Sequence, residues 1–229
     1  MASQKRYPAG YGSISPVADY RPWDTDEAFQ RVYRQISAHT KVDQFRCYEL
    51  WTLLPQALAL PGDVLEVGVW RGGSGALLCA RCNELDKRQP RRVYLADTFN
   101  GVVKAGPRDD YYKGGEHADT DPEIVTALLS QMRVDNFRLL PGVFPEETAW
   151  QVESERICFC HVDVDVYQSA RDVTDWVWPR LSPGGIIIYD DYGFWGCEGV
   201  TALGDEERGK PGRVMVHNLN GHAVLIKTG

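Results

Sequence analysis

Residues 64–75 read Val64-Leu65-Glu66-Val67-Gly68-Val69-Trp70-Arg71-Gly72-Gly73-Ser74-Gly75, a short apolar run that passes through glycines into a helix-like stretch. Glycines between a strand and a helix let the backbone come close to a ligand, and the helix N-terminus offers free N–H groups. A nicotinamide-binding loop would space its glycines G-x-G-x-x-G; the order here is G-x-x-x-G-G, which disfavours that class. Working outward, further apolar runs stand at Arg92 to Ala96, Phe137 to Leu140, Ile157 to Val162 and Ile186 to Tyr189. Helical patterns alternate with them over about 74–87, 121–133, 146–153, 168–178 and 198–206, with Asp121 as a cap and Pro122 in the first turn. That alternation predicts βαβ units around a parallel sheet, and uninterrupted apolarity suits strands buried on both faces. Arg213 to Val216 and Ala223 to Lys227, joined by Asn218-Leu219-Asn220-Gly221, predict an antiparallel hairpin at the sheet edge. The expectation is an α/β fold with a mostly parallel seven-stranded sheet.

Before residue 63 the pattern differs. Residues 1–22 are rich in Pro, Gly and Tyr without periodicity, and predict an arm whose Tyr7, Tyr11 and Tyr20 close over a ligand as a lid. Asp24-Thr25-Asp26-Glu27 has the form of a capping box opening a helix to about Ser37, and Asp43 opens a second carrying Tyr48, Leu50, Trp51, Leu53 and Leu54. Residues 1–62 are therefore expected to cap a core formed by 63–229 rather than to make a domain of their own. The stretch from Phe99 to Asp119, with four glycines, has no periodicity, and a loop that long within a compact domain is usually functional or disordered.

Composition narrows the partners. The chain has 229 residues, 25 Lys+Arg against 32 Asp+Glu and a net charge of −7, the balance of a folded soluble protein. An acidic total argues against nucleic-acid binding by phosphate neutralisation. No apolar run approaches the ~20 residues of a membrane span, and no apolar stretch follows Lys5 and Arg6 to make a secretory signal, so a cytoplasmic location is expected. Of the six cysteines, Cys79 and Cys82 have zinc-type spacing, but they lie in a helix-like stretch while Cys158 and Cys160 lie in a strand-like one, so they read as small core residues.

Acids gather at the predicted strand ends: Glu66, Asp97, Asp163 with Asp165, and Asp190 with Asp191. In an open α/β sheet that rim is where ligands bind. Unpaired buried carboxylates are costly, so these acids need a cation or a hydroxyl-rich ligand. Parallel neighbours would bring Asp163, Asp190 and Asp191 together as oxygen ligands for a hard divalent ion such as Mg2+.

The spacing E-x-G-x-x-x-G from Glu66 resembles motif I of class I S-adenosylmethionine (AdoMet) methyltransferases, a Rossmann-like fold in which the acid ending the second strand, here Asp97, holds ribose hydroxyls. More specifically, the blocks Gly68 to Gly73, Ala96 to Gly101, Leu140 to Phe144, His161 to Tyr167 and Pro179 to Tyr192 together resemble the macrocin O-methyltransferase (TylF) family of Mg2+-dependent sugar O-methyltransferases, from about residue 24 onward. The resemblance implies AdoMet held by Glu66, Gly68, Val69, Trp70, Arg71, Gly72, Ser74, Asp97, Thr98, Val143 and Phe144, and Mg2+ at Asp163, Asp190 and Asp191. Val143 stands where the family usually has Trp, so an aromatic contact near the adenine is either absent or supplied by Phe144. A glycosylated small-molecule acceptor and a homo-oligomeric assembly are implied too.

In such a reaction the acceptor hydroxyl must lose a proton. Asp165, two residues beyond a metal ligand and left over once three acids serve the cation, is the candidate base, with His161 as its rival. Tyr192, Phe194 and Trp195 follow the metal acids and are candidates to wall the acceptor site. A catechol-type phenol methyltransferase would use a lysine base, and residues 163–168 contain none. A non-catalytic AdoMet- and metal-binding protein is the other alternative, set against the intact acid cluster.

Overall fold

The computed structural model describes residues 7–15, 17–85 and 91–229. Its centre is a sheet of seven strands: β1 (Asp63–Val67), β2 (Val93–Asp97), β3 (Phe137–Pro141), β4 (Ile157–Val162), β5 (Leu181–Tyr189), β6 (Arg213–His217) and β7 (Ala223–Lys227). Their order across the sheet is β3-β2-β1-β4-β5-β7-β6. The pairs from β3 to β5 are parallel, whereas β7 runs antiparallel to both β5 and β6. The expected hairpin is present. It folds so that β7, the later strand, inserts beside β5 and β6 takes the edge.

Six α-helices cover the sheet: α1 (Glu27–Ile36), α2 (Gln44–Ala57), α3 (Gly73–Leu85), α4 (Pro122–Gln131), α5 (Tyr167–Val177) and α6 (Glu198–Arg208). On one face, Phe29 and Ile36 of α1, Leu50, Trp51 and Leu54 of α2, Leu77 and Leu78 of α3 and Leu128 of α4 join Val64, Leu95, Phe159 and Ile188 in one core. On the other, Val173 and Val177 of α5 and Val200 and Leu203 of α6 pack on Leu65, Tyr94, Val162 and Tyr189. The helices before residue 63 thus share the core of the sheet.

Helix starts follow local chemistry. Asp26 accepts from the Phe29 amide, Asp43 from those of Phe45 and Arg46, and Asp121 from that of Ile124, each a side-chain cap on an orphan donor. The first cap differs from the expected box: Pro22–Asp24 forms a separate 3-10 turn and α1 begins only after Asp26. The helix expected over 146–153 is a correction. Only a 3-10 turn, Ala149–Gln151, forms there. Trp150 stands 79% exposed, and Ala149 and Val152 alone of the segment's apolar residues pack on the core, too little to repay helix nucleation. Residues 86 and 87, the end of the helix expected over 74–87, lie outside the described residues. Among the described residues no helix is long and apolar enough to cross a membrane.

The sheet register creates the rim. Val67 pairs with Val162 and Val162 with Tyr189, so Asp163 and Asp190 emerge side by side from β4 and β5. Their backbones continue the ladder for one step, Asp163 N–H donating to Val67 and Asp190 N–H to Val162.

Candidate active site

A cavity of about 330 Å³ opens above this rim. Gly68, Val69, Trp70, Ser74, Asp97, Thr98, Val143 and Phe144 contribute to its wall, as do Asp163, Asp165, Asp190 and Asp191. The structure therefore brings most of the residues expected from sequence onto one surface.

The glycine loop is held by the acid of the neighbouring strand. One oxygen of Asp97 accepts from the amides of Val69 (2.7 Å) and Trp70 (2.8 Å), and the other from the Phe99 amide (2.7 Å). Gly68 is required at its position: φ is +92°, and a Cβ there would fall on the carbonyl oxygen of Asp163. Phe144 is buried and meets Trp176 edge-on at 5.0 Å.

Of the expected residues, Glu66, His161, Arg71, Gly72 and Tyr192 are not on the cavity wall; Tyr192 is buried, its hydroxyl donating to Asp205 (2.7 Å). Glu66 and His161 are register partners on β1 and β4, fully buried beneath the rim, with Glu66 Oε1 2.8 Å from His161 Nδ1. Both sit one residue before the strand ends, a step deeper than the rim. His161 Nε2 lies 3.5 Å from Asp190 Oδ1. Burial alone would depress the His161 pKa, but its bonds to Asp190 and Glu66, with their charges, outweigh that and push it up to about 10. His161 thus lies between two acidic side chains, off the cavity wall. Arg71 turns outward to Asp119, bonding its side chain (2.8 Å) and carbonyl (2.9 Å), and Gly72 packs against Val125.

Asp163, Asp190 and Asp191 each offer an oxygen, all within 4.8 Å of one another. Burial, then the charges of neighbouring acids, raises the carboxyls of Asp163 and Asp191 well above the ordinary carboxylate range. A shared cation would relieve that repulsion, so the donor set fits a hard divalent ion. Asp190 differs. Burial also works against its charge, but hydrogen bonds from His161 and His222 and the Arg46 charge bring its carboxyl far below the usual range.

Those partners were not evident from the sequence. Asp43, having capped α2, takes Arg46 Nε at 2.9 Å, and the guanidinium reaches across to Asp190. His222 on the hairpin donates from Nε2 to Asp190 (2.8 Å), and its Nδ1 faces Glu49 (3.1 Å), which Asn218 and Asn220 also hold. The only sequence signal was Arg46 three residues after a helix cap; the position of His222 follows from β7 crossing to β5.

The unassigned loop is an ordered roof. Asp109, 3% exposed, accepts from the Tyr167 amide (2.9 Å) and so caps α5, whose N-cap Val166 has no capping side chain. Ser169 bonds Val103, Lys104 pairs with Asp172 (2.7 Å), and Trp70 Nε1 holds Asp119 (2.9 Å). This roof delivers Tyr112 and His117 to the cavity wall. Phe194 and Trp195 form part of the wall too, and Tyr7 of the arm meets Trp195 edge-on at 5.8 Å, whereas Tyr20 is exposed.

A parallel sheet with an inserted antiparallel last strand, a glycine loop pinned by the acid of the next strand and a ligand cavity at the strand ends define the class I Rossmann-like O-methyltransferase fold. The chain is similar over 83% of its length to the structure of the O-methyltransferase NovP, with a TM-score of 0.72, 25% identity and 83% of that chain covered. It is similar over 96% to the calicheamicin methyltransferase CalS11, with a TM-score of 0.67, 17% identity and 99% of that chain covered. The macrocin-O-methyltransferase (TylF) family model matches residues 35–208, and the chain belongs to that family. Among characterised relatives, mycinamicin III 3''-O-methyltransferase of Micromonospora griseorubida is 34% identical over 173 residues, 70% of this chain and 67% of that protein. An 8-demethyl-8-(2,3-dimethoxy-alpha-L-rhamnosyl)-tetracenomycin-C 4'-O-methyltransferase of Streptomyces olivaceus is 33% identical over 171 residues, 70% of this chain. The match spans 65%, just under two thirds, of the length of that relative.

Proposed function

We propose that the protein transfers a methyl group from AdoMet to a hydroxyl of a sugar, carried on a glycosylated natural product, with Mg2+ at Asp163, Asp190 and Asp191. The observation that carries this reading is the meeting, on one cavity wall, of the Gly68 loop and Asp97 with four acids at neighbouring strand ends. The Streptomyces olivaceus relative is named for a rhamnosyl-tetracenomycin, which supports the acceptor class.

In this reading the Gly68 to Ser74 loop, with Asp97 and Phe144, holds AdoMet, which supplies an electrophilic sulfonium methyl. Bound Mg2+ would supply positive charge that favours an ionised hydroxyl. Methyl transfer breaks a carbon–sulfur bond, forms a carbon–oxygen bond and leaves S-adenosylhomocysteine and one proton. Asp165 takes that proton. It lies on the cavity wall and its backbone N–H donates to Asp191 (3.2 Å), which fixes it beside the metal acids. Its φ of +64° turns the chain sharply between β4 and α5 and keeps the carboxyl at the rim. Arg46 and His222 keep Asp190 ionised and fixed, and the Phe144–Trp176 pair closes the apolar side of the cavity.

The test is transfer from AdoMet to a vicinal-diol glycoside, with and without EDTA. Activity should vanish with EDTA and return with Mg2+; full activity in EDTA removes the metal from this account. Asp165→Asn should abolish turnover with AdoMet binding intact, and near-normal turnover would assign the proton to another group.

A further inference from the structure

The roof loop and the segment before α2 place three polar side chains in line behind Asp165. Lys41 Nζ lies 2.6 Å from His117 Nδ1, and His117 Nε2 lies 3.4 Å from the Tyr112 hydroxyl. The Tyr112 phenol and the Asp165 carboxylate meet on the same cavity wall, where each acts on the other electrostatically. All four residues line the cavity, and Tyr112 is 8% exposed. The 76 residues separating Lys41 from His117 exclude a merely local pair.

Direction follows from donor and acceptor counts. An ammonium has donors only, so Lys41 donates and His117 Nδ1 must accept. A neutral imidazole accepting at Nδ1 carries its proton on Nε2, which faces the Tyr112 oxygen. With its oxygen receiving that proton, the O–H of Tyr112 is left to donate to Asp165. Each donor in the series points toward the carboxylate.

We propose that Lys41, His117 and Tyr112 are positioning residues, forming a one-way hydrogen-bond chain that orients the Asp165 carboxylate toward the substrate hydroxyl. The inference rests on the reading of Asp165 as the base. The Lys41 ammonium also lies over the Trp70 ring at 4.9 Å, which anchors the outer end of the chain to the glycine loop. The chain thus ties the carboxylate's orientation to the loop that holds AdoMet. Burial and then the Asp165 charge raise the Tyr112 pKa, so the phenol stays a donor.

Two readouts test this, one of them independent of turnover. In protein labelled with [15N]histidine, without ligands, His117 should appear as the neutral Nε2–H tautomer and should shift in Lys41→Met and in Tyr112→Phe; an Nδ1–H tautomer overturns the order. Kinetics are then read with AdoMet, Mg2+ and p-nitrophenyl α-L-rhamnopyranoside. Tyr112→Phe should lower kcat about 10- to 50-fold with both KM values within about twofold, the pattern of a lost transition-state interaction. His117→Leu should lower kcat about 3- to 10-fold, and His117→Gln, which keeps an acceptor and a donor, should recover most of that loss. Added to Tyr112→Phe, His117→Leu should cost nothing further, because it acts through the same hydroxyl. Additive losses, or Gln no better than Leu, overturn the chain. A wild-type protein that leaves the glycoside unmethylated counts against the proposed function, while the tautomer result still decides the chain.

Discussion

Arg46→Met is the most direct test of how the acid cluster is held. Methionine keeps most of the stem volume and deletes the guanidinium, leaving Asp190, whose side chain is 3% exposed, without its cationic partner from α2. The Arg46 side chain is itself only 8% exposed, so solvent screens the pair little. Breaking a buried pair from one side costs about 3–5 kcal/mol. His222 still donates to Asp190, and His161 Nε2 lies 3.5 Å away, which softens the loss and places it near the lower end, about 3 kcal/mol. For a chain of this size that is a fall of about 6–12 °C in midpoint. Thermal unfolding by circular dichroism in EDTA measures it, with urea unfolding as the equilibrium check. The same variant should gain more from Mg2+ than wild type does, because its acids are less neutralised. A midpoint within about 2 °C of wild type would refute the claim that Arg46 offsets the buried charge of Asp190.

Other perturbations probe other parts. Gly68→Ala should destabilise by about 3 kcal/mol or more, because a positive φ and a clash with the Asp163 carbonyl add together; urea unfolding reads it, and a loss under about 1 kcal/mol would mean the two loops are not in contact. In EDTA, stability should fall as pH rises: His161 contributes fully below about pH 6.5 and loses its contribution toward about pH 10, while raised carboxyls at Asp163 and Asp191 penalise the folded state once ionised. Asp190, whose carboxyl is depressed, contributes above about pH 3.9 and is lost only below it, so it is constant across urea midpoints at pH 5.5, 7.5 and 9.5, and a midpoint that rises with pH across that range contradicts the assignment. Asp109→Ala should cost about 1–2 kcal/mol through the lost α5 cap and speed proteolysis within 99–121, whereas an unchanged cleavage rate would show that the roof is anchored elsewhere.

The legible parts of the molecule are those set by neighbours in sequence. Uninterrupted apolar runs such as Ile157 to Val162 are strands with every residue buried, and Asp43 and Asp121 cap the helices they precede. Asp163, Asp190 and Asp191 were legible as a set because parallel strands put consecutive strand ends at one rim. The burial of Glu66 and His161 beneath the rim needed a register that the sequence does not carry. Once Glu66 is opposite His161, their sharing of a buried bond follows from that pairing. The roof carried no signal, since its contacts are long-range: Asp109 to Tyr167 spans 58 residues and Lys41 to His117 spans 76. The segment around Trp150 was misread as a helix because local propensity has no term for which way a large ring faces.

The crossing of β7 to the side of β5 has a consequence for how relatives are compared. The family match closes at residue 208, yet an imidazole that steadies Asp190 arrives fourteen residues later, in the turn that leads into β7. Conservation tracked within the shared segment would record Asp190 and Arg46 and omit His222. Two homologues identical through α6 could therefore differ in metal affinity through their last twenty residues alone. For the same reason, trimming the C-terminus to a minimal catalytic fragment would remove an electrostatic partner of the centre, not a dispensable edge of the sheet.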